Sequence, residues 1–384
     1  MTIKPLSARW LVLLQRGAAT LITATCLSTT AFAQTRGDIV IGQPADLTGP
    51  QKASVKEMTD AARAYFDKIN KAGGIDGRKL VLRSVDDGFD PKRSVTAANE
   101  LIAQKNVLAL ALGRGTANAE AVMKVAGDAK VPVVGYVGGS LLLHSPPKRY
   151  FFNLRPPYRV EAERAIGQLV AQGASRIATV YTDDAFGKDA VEGFYEGLKA
   201  NKLEAATIAT IPRGEAKVED AVAKIMASKA DAVVGICIVK SCSLVAKGLR
   251  AAGYTGKFLS LSNTSSSTYV KELGDVARGI IVTQVFPAPD SVAIALSNDF
   301  QKLADEYKFE KSYTSMEGYV NARVLVEAIK RAGPNPTREG LVKALESMHK
   351  FDLGGFVISY GPEDRSGSTL VNLTIIGRNG RFMR

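Results

Sequence analysis

The sequence predicts an α/β protein built from two doubly wound units in tandem, and three observations carry that expectation. Short apolar runs recur along the chain, separated by amphipathic segments long enough for helices. Continuous apolar runs are how strands buried on both faces read. The alternation restarts once, after Phe151-Phe152-Asn153-Leu154, so one wound unit follows another. A chain of 384 residues is also too long for one ordinary core.

In the first unit, Ile39-Val40-Ile41-Gly42 is a strand, followed by a helix over about 54–70. Leu80-Val81-Leu82 starts the second strand. Asp90 before Pro91 reads as an N-cap, opening a helix over about 91–104. A strand over 107–112, a helix from Thr116 and the strand Val131-Pro132-Val133-Val134 complete this unit. The second unit has strands over about 176–181, 206–211, 232–236, 257–261 and 279–285. Helices over about 159–172, 187–200, 218–228 and 241–252 alternate with them. Pro287 and Pro289 mark the exit. Tail helices over about 292–307, 315–331 and 338–349 are expected to return to the first unit, with short strands near 356–359 and 370–376. The expected division is 38–155 plus 287–367 for lobe one, and 156–286 plus 368–384 for lobe two.

The first segment reads as an address. Lys4, Arg9 and Arg16 precede an apolar stretch that ends in Ala31-Phe32-Ala33, a small-residue cleavage pattern. Cleavage after Ala33 implies export to the periplasm. Lipidation at Cys26 is the alternative, but Thr23-Ala24-Thr25 lacks the residues such a site wants. No later stretch is apolar for the roughly 20 residues a membrane helix needs. Composition is ordinary for a globular chain, 46% hydrophobic and 23% charged. The formal charge of +12 comes from scattered lysines and arginines, without the clustered stripe that nucleic acid requires. After cleavage two cysteines remain, Cys237 and Cys242. Export permits a disulfide closing a very small loop, and two free thiols are the alternative.

A catalytic constellation is missing. The chain has two histidines, His144 and His349, no Cys/His set at zinc-ligand spacing, no nucleophile elbow and no P-loop. Gly113-Arg114-Gly115 follows a strand and precedes a helix. As a dinucleotide fingerprint it fails, because Asn118 stands where the third glycine belongs. Such a turn either offers free backbone N–H groups to an anion or is simply tight. Asp86-Asp87 and Asp183-Asp184 are paired carboxylates at strand ends, where capping is the ordinary role. No cofactor and no metal are expected, and the protein is read as a binder rather than an enzyme.

Four segments then resemble one family in the right order. They are Gly42-Gln43-Pro44-Ala45-Asp46-Leu47-Thr48-Gly49-Pro50, Ile69-Asn70-Lys71-Ala72-Gly73-Gly74-Ile75-Asp76-Gly77, Asp86-Asp87-Gly88-Phe89-Asp90-Pro91, and Asp183-Asp184-Ala185-Phe186-Gly187. The resemblance is to the leucine/isoleucine/valine-binding family, the type I periplasmic binding proteins of branched-chain amino acid ABC importers. It implies two Rossmann-like lobes joined by three crossovers, hinging shut on a small molecule. It further implies a monomer that delivers its ligand to membrane ABC permease subunits. A ligand-sensing receptor module on the same fold is the alternative function.

Carried over by position, the resemblance places Thr48 in the first ligand loop and Gly115-Thr116 at the helix start that holds a ligand carboxylate. Gly138-Gly139-Ser140 lies in the next strand-end loop, and Phe186 closes over the ligand. Ile238 and Asn263 fall at further lobe-two contacts, and Tyr136 would add an apolar wall. One departure matters. Amino-acid-binding members place an acid near Asn263 to meet the ligand ammonium, whereas Leu261-Ser262-Asn263-Thr264-Ser265 has none. Burying an ammonium without a counter-charge is costly. The expected ligand is therefore a small carboxylate with an apolar or aromatic body, with α-amino acids second. Glu317 would be the substitute acid if it faces the cleft.

Overall fold

The computed structural model describes residues 37–104, 106–214 and 217–384, together with Met1 and Thr2. The apolar stretch and the Ala33 cleavage site lie outside the described residues.

The first lobe is built on five parallel strands: β1 (Ile39–Ala45), β2 (Leu80–Asp86), β3 (Val107–Ala111), β4 (Val133–Val134) and β5 (Phe151–Phe152). Their order is β2-β1-β3-β4-β5. Helices α1 (Lys52–Lys71), α2 (Pro91–Ala103) and α3 (Thr116–Asp128) make the crossovers. Every residue of β1 and β3 is buried, which is why β3 and the first four residues of β1 read as apolar runs, while the buried Gln43 of β1 donates to Thr59 and to the Leu112 carbonyl. Asp90 caps α2 by accepting from the N–H groups of Lys92 and Arg93.

The chain then passes into the second lobe. Here α4 (Tyr158–Ala171), β6 (Ile177–Thr182), α5 (Ala185–Ala200), β7 (Ala205–Ile211), α6 (Glu219–Ala227), β8 (Ala232–Ile236), α7 (Val239–Ala251), β9 (Lys257–Ser260), α8 (Ser267–Leu273) and β10 (Ile281–Gln284) follow in turn. Helices α9 (Ala295–Tyr307), α10 (Tyr313–Arg331) and α11 (Arg338–Glu346) share one apolar core with β1, β2 and β3 of the first lobe. Tyr319 of α10 meets Tyr65 of α1 edge-on, their centroids 5.4 Å apart. A small hairpin of β11 (Phe351–Asp352) and β12 (Val357–Ile358) comes next. Finally β13 (Asn372–Ile376) and β14 (Phe382–Met383) extend the second sheet, whose order is β14-β13-β10-β9-β8-β6-β7. The chain thus crosses between the sheets after β5, after β10 and before β13.

Helix α8 is one element the sequence pattern did not suggest. It has only seven residues, and its caps are partly tertiary. Ser266 accepts from Tyr269 N–H. Glu57 of α1 reaches over from the first lobe and accepts from the N–H groups and hydroxyls of Ser267 and Thr268 at 2.8–3.2 Å. The same carboxylate accepts from Ser312 at the start of α10. One buried acid therefore ties two helix starts from different lobes together.

A second buried connection lies at the first crossover. Arg155 is 1% exposed and stands between two carboxylates. Glu161 on α4 and Glu317 on α10 each lie 3.7 Å from its guanidinium. It also donates to the Tyr158 hydroxyl at 3.0 Å and to Ser262 Oγ. Burial works against its charge, but Tyr158, Glu317 and Glu161 outweigh that and hold its pKa above the usual guanidinium value. Glu161 is pushed up by burial, opposed by Arg155 and by donors from Thr283 and Ser262. Arg155→Met should leave two buried carboxylates uncompensated and lower stability by about 3–5 kcal/mol, read as a fall in the denaturant midpoint.

His144 lies at the edge of this region. Its Nδ1 is 3.2 Å from Ser366 Oγ, and burial, aided by Arg155, lowers its pKa to about 4. The folded state therefore keeps it neutral where the unfolded chain would charge it. Its contribution is complete above about pH 6.5 and is lost as pH falls from there toward 4, on the order of 3 kcal/mol in all. His144→Gln should flatten that part of the stability profile, measured by urea unfolding at stepped pH.

Candidate functional site

The carboxyl ends of the strands face each other across the lobes, as in other open α/β sheets that bind ligands there. Between them lies a small, partly open cavity of about 30 Å³. Each wall residue follows a strand. From the first lobe come Gln51 after β1, Phe89 after β2, Arg114, Gly115 and Thr116 after β3, and Val137 after β4. From the second come Tyr158 at the start of α4, Asp184 and Phe186 after β6, Arg213 after β7, Ile238 after β8 and Asn263 after β9.

Arg114 is the dominant charge. The loop that carries it is pinned, because Gly115 N donates to Val137 O and Val137 N donates to Gly113 O, both at 2.8 Å. A Cβ at Gly113 would lie 2.1 Å from the Tyr136 ring. Gly115 has φ +105°, and a Cβ there would lie 2.7 Å from Asn118 Oδ1. The flanking glycines leave the arginine as the only side chain of the turn. Arg114 is 4% exposed and donates from Nε to Gln51 Oε1 at 3.1 Å and from Nη2 to Asn263 O at 2.5 Å. Among the described residues no carboxylate lies within ion-pair distance of it. Burial lowers its pKa from the usual guanidinium value, and the more distant Glu317 opposes this.

The opposite end is different. Arg213 reaches back to the first lobe, donating to Phe89 O at 2.8 Å and Asn118 Oδ1 at 3.0 Å, and lies 4.9 Å over the Phe89 ring. Asp184 is 3.8 Å from it and caps α5 by accepting from Gly187 N–H. Burial raises the Asp184 pKa, with that N–H and Arg213 opposing. Tyr158 and Phe186 pack edge-on at 4.8 Å and form the aromatic part of the wall. Arg114 and Arg213 thus both bridge the lobes, one from each side.

Of the residues the sequence reading placed in the site, Gly115, Thr116, Phe186, Ile238 and Asn263 line this cavity. Thr48 stands apart on an exposed loop, its hydroxyl donating to Asp86. Tyr136 is in the first-lobe core, sealed beneath Gly113, because its ring fills the space that glycine leaves. Gly138 and Gly139 lie behind the wall, where Gly139 N–H donates to Thr116 Oγ1 at 3.4 Å and a Cβ would strike the Tyr158 ring. Ser140 donates to Glu120. Glu317 is held by Arg155 and is not on the wall. The residues missed by the sequence reading include Gln51, Phe89, Arg114, Tyr158 and Arg213. Their common signal is position in the loop or helix start that follows a strand, which Arg114 in Gly113-Arg114-Gly115 displays most openly.

Asp86 accepts from Leu47 and Gly88 N–H and the Thr48 hydroxyl, and Asp87 from Phe89 N–H and Ser94, so both hold loops. Cys237 and Cys242 form a disulfide at the end of β8 and the first turn of α7, beside Ile238. Among the described residues no group of three or more His, Cys, Asp or Glu side chains is placed to hold a metal, and no helix is long and apolar enough to cross a membrane.

Comparison with known proteins agrees with this architecture. The profile described as periplasmic binding protein matches residues 38–381. A Leu/Ile/Val-binding protein of Rhizobium johnstonii is 26% identical over 356 residues, covering 88% of this chain and 92% of its own. The crystal structure of a substrate-binding periplasmic protein from Ralstonia solanacearum superposes with a TM-score of 0.85 at 32% identity, covering 90% of this chain and 99% of that one. An extracellular ligand-binding receptor from Verminephrobacter eiseniae gives 0.83 at 29% identity, covering 90% and 100%. The chain belongs to the periplasmic binding protein family, as a type I member of the leucine/isoleucine/valine-binding group.

Proposed function

We propose that this protein is the solute-binding component of an ABC importer, exported to the periplasm. It closes two lobes on a small carboxylate-bearing molecule and delivers it, as a monomer, to membrane permease subunits. The observation that carries the reading is Arg114: a buried guanidinium on the cavity wall whose direct partners are neutral oxygens. A ligand carboxylate would supply the missing anion, accepting from the guanidinium, from Thr116 and from N–H groups at the start of α3. Phe89, Tyr158, Phe186 and Ile238 would enclose an apolar or aromatic body. Turnover is not part of the reading, since the wall holds no paired acid and base and no nucleophile with an activating partner.

An α-amino acid is the second reading, favoured by the relatives whose names record leucine, isoleucine and valine. Against it stands the wall itself, whose one carboxylate, Asp184, lies against Arg213. A sensor role on the same fold would give the same binding data. It would be separated by whether the protein stimulates ATP hydrolysis by a reconstituted importer.

A thermal-shift screen on ligand-stripped protein tests the ligand class. Branched-chain amino acids, their deaminated analogues and aromatic carboxylates make the panel. A true ligand at 100-fold its Kd should stabilise by about 2.7 kcal/mol. A shift with leucine, isoleucine or valine and none with the carboxylates would reject the first reading. Arg114→Met should cost about 1.5–3 kcal/mol of binding for every carboxylate bound by the wild type, by calorimetry. Thr116→Val keeps the shape and removes the hydroxyl, and should cost a similar amount. Unchanged affinity in both would show that the turn after β3 is structural only.

A further inference from the structure

Two amide side chains on the cavity wall have half-complete hydrogen bonding. Asn263 is 8% exposed and donates from Nδ2 to Cys237 O at 2.9 Å, which fixes the orientation of its amide. Its Oδ1 is buried and accepts from nothing among the described residues. Gln51 is 2% exposed, and its Oε1 accepts from Arg114 Nε. Its Nε2 is therefore the free end, buried and without an acceptor among the described residues. One orphaned donor and one orphaned acceptor share the wall. Buried polar atoms are costly unless a partner is supplied, and here a ligand is the group that would supply it.

The two orphans ask for different chemistry. Gln51 Nε2 is next to Arg114, so both suit a carboxylate. Asn263 Oδ1 needs a donor. The same residue's main-chain oxygen accepts from Arg114 Nη2 at 2.5 Å, so Asn263 itself sits beside a buried cation. An ammonium there would meet that cation without a balancing acid. Glu317 is occupied by Arg155, and Asp184 lies against Arg213 while capping α5. A hydroxyl donates the same hydrogen bond without charge, whereas a methylene or a carbonyl leaves Oδ1 unsatisfied.

Resting on the carboxylate reading above, we propose that the ligand is a hydroxycarboxylate. Its carboxylate lies at Arg114 and Gln51 Nε2, and a hydroxyl on a neighbouring carbon donates to Asn263 Oδ1. Its apolar or aromatic body packs against Phe89, Tyr158 and Phe186. Asn263 is then a specificity-determining residue that reads a neutral donor where an acid would read an ammonium.

The test is calorimetry on the ligand-stripped full chain with two matched sets. One is 2-hydroxy-4-methylpentanoate, 4-methylpentanoate, 2-oxo-4-methylpentanoate and leucine. The other is mandelate, phenylacetate, benzoylformate and phenylglycine. In at least one set the hydroxy acid should bind about tenfold or more tightly than its deoxy and oxo analogues. Asn263→Leu should collapse that preference, and Asn263→Asp should move it toward the ammonium compound. Equal or tighter binding of the deoxy or oxo acid, or tightest wild-type binding of the amino acid, overturns the hydroxyl assignment and leaves the carboxylate cleft standing. Binding of no carboxylate in either set overturns both readings. Should a variant fail to fold, the wild-type series decides alone.

Discussion

The guanidinium of Arg155 is buried where the two lobes meet, and its charge is costly there unless both lobes help to neutralise it. Arg155 meets that constraint with Glu161 from α4 and Glu317 from α10. Removing any member would leave an uncompensated charge in a medium that screens it poorly. The pairing also decides what is left over. Glu317, the acid the sequence offered as an ammonium partner, is spent on the crossover. Arg114 keeps only neutral direct partners and faces the cavity. The chemistry of the cleft is thus set partly by an ion cluster that does not line it.

The same economy runs through the wall. Glycines on either side of Arg114 let the turn after β3 press against the Tyr136 ring and Asn118. The turn is then locked to Val137 by two main-chain hydrogen bonds. On the far lobe, Asn263 is held by Cys237, the residue whose disulfide to Cys242 brackets Ile238. Each wall group is fixed by a second contact behind it, so the cavity presents oriented donors and acceptors rather than flexible ones. Glu57 adds a further tie by capping α8 across the lobes, and Arg213 another by reaching Phe89 and Asn118.

What the sequence by itself determined was the alternation of elements and the residues that start them. Buried parallel strands leave unbroken apolar runs, and Asp90 and Asp184 cap helices by local bonds within three residues, so both are readable from neighbours along the chain. Gly115, Thr116, Phe186, Ile238 and Asn263 were legible as cavity residues through family position, since strand ends converge in this fold. Tertiary structure alone decided the rest. Helix α8 is capped by an acid over 200 residues away in sequence. Tyr136 is core because of the space left by Gly113, and Thr48 turns to Asp86. Whether Arg114, Arg155 or Glu317 faces the cavity depends on which charges find each other across the lobes. That is a balance of desolvation against pairing, and it exists only once the lobes are packed together.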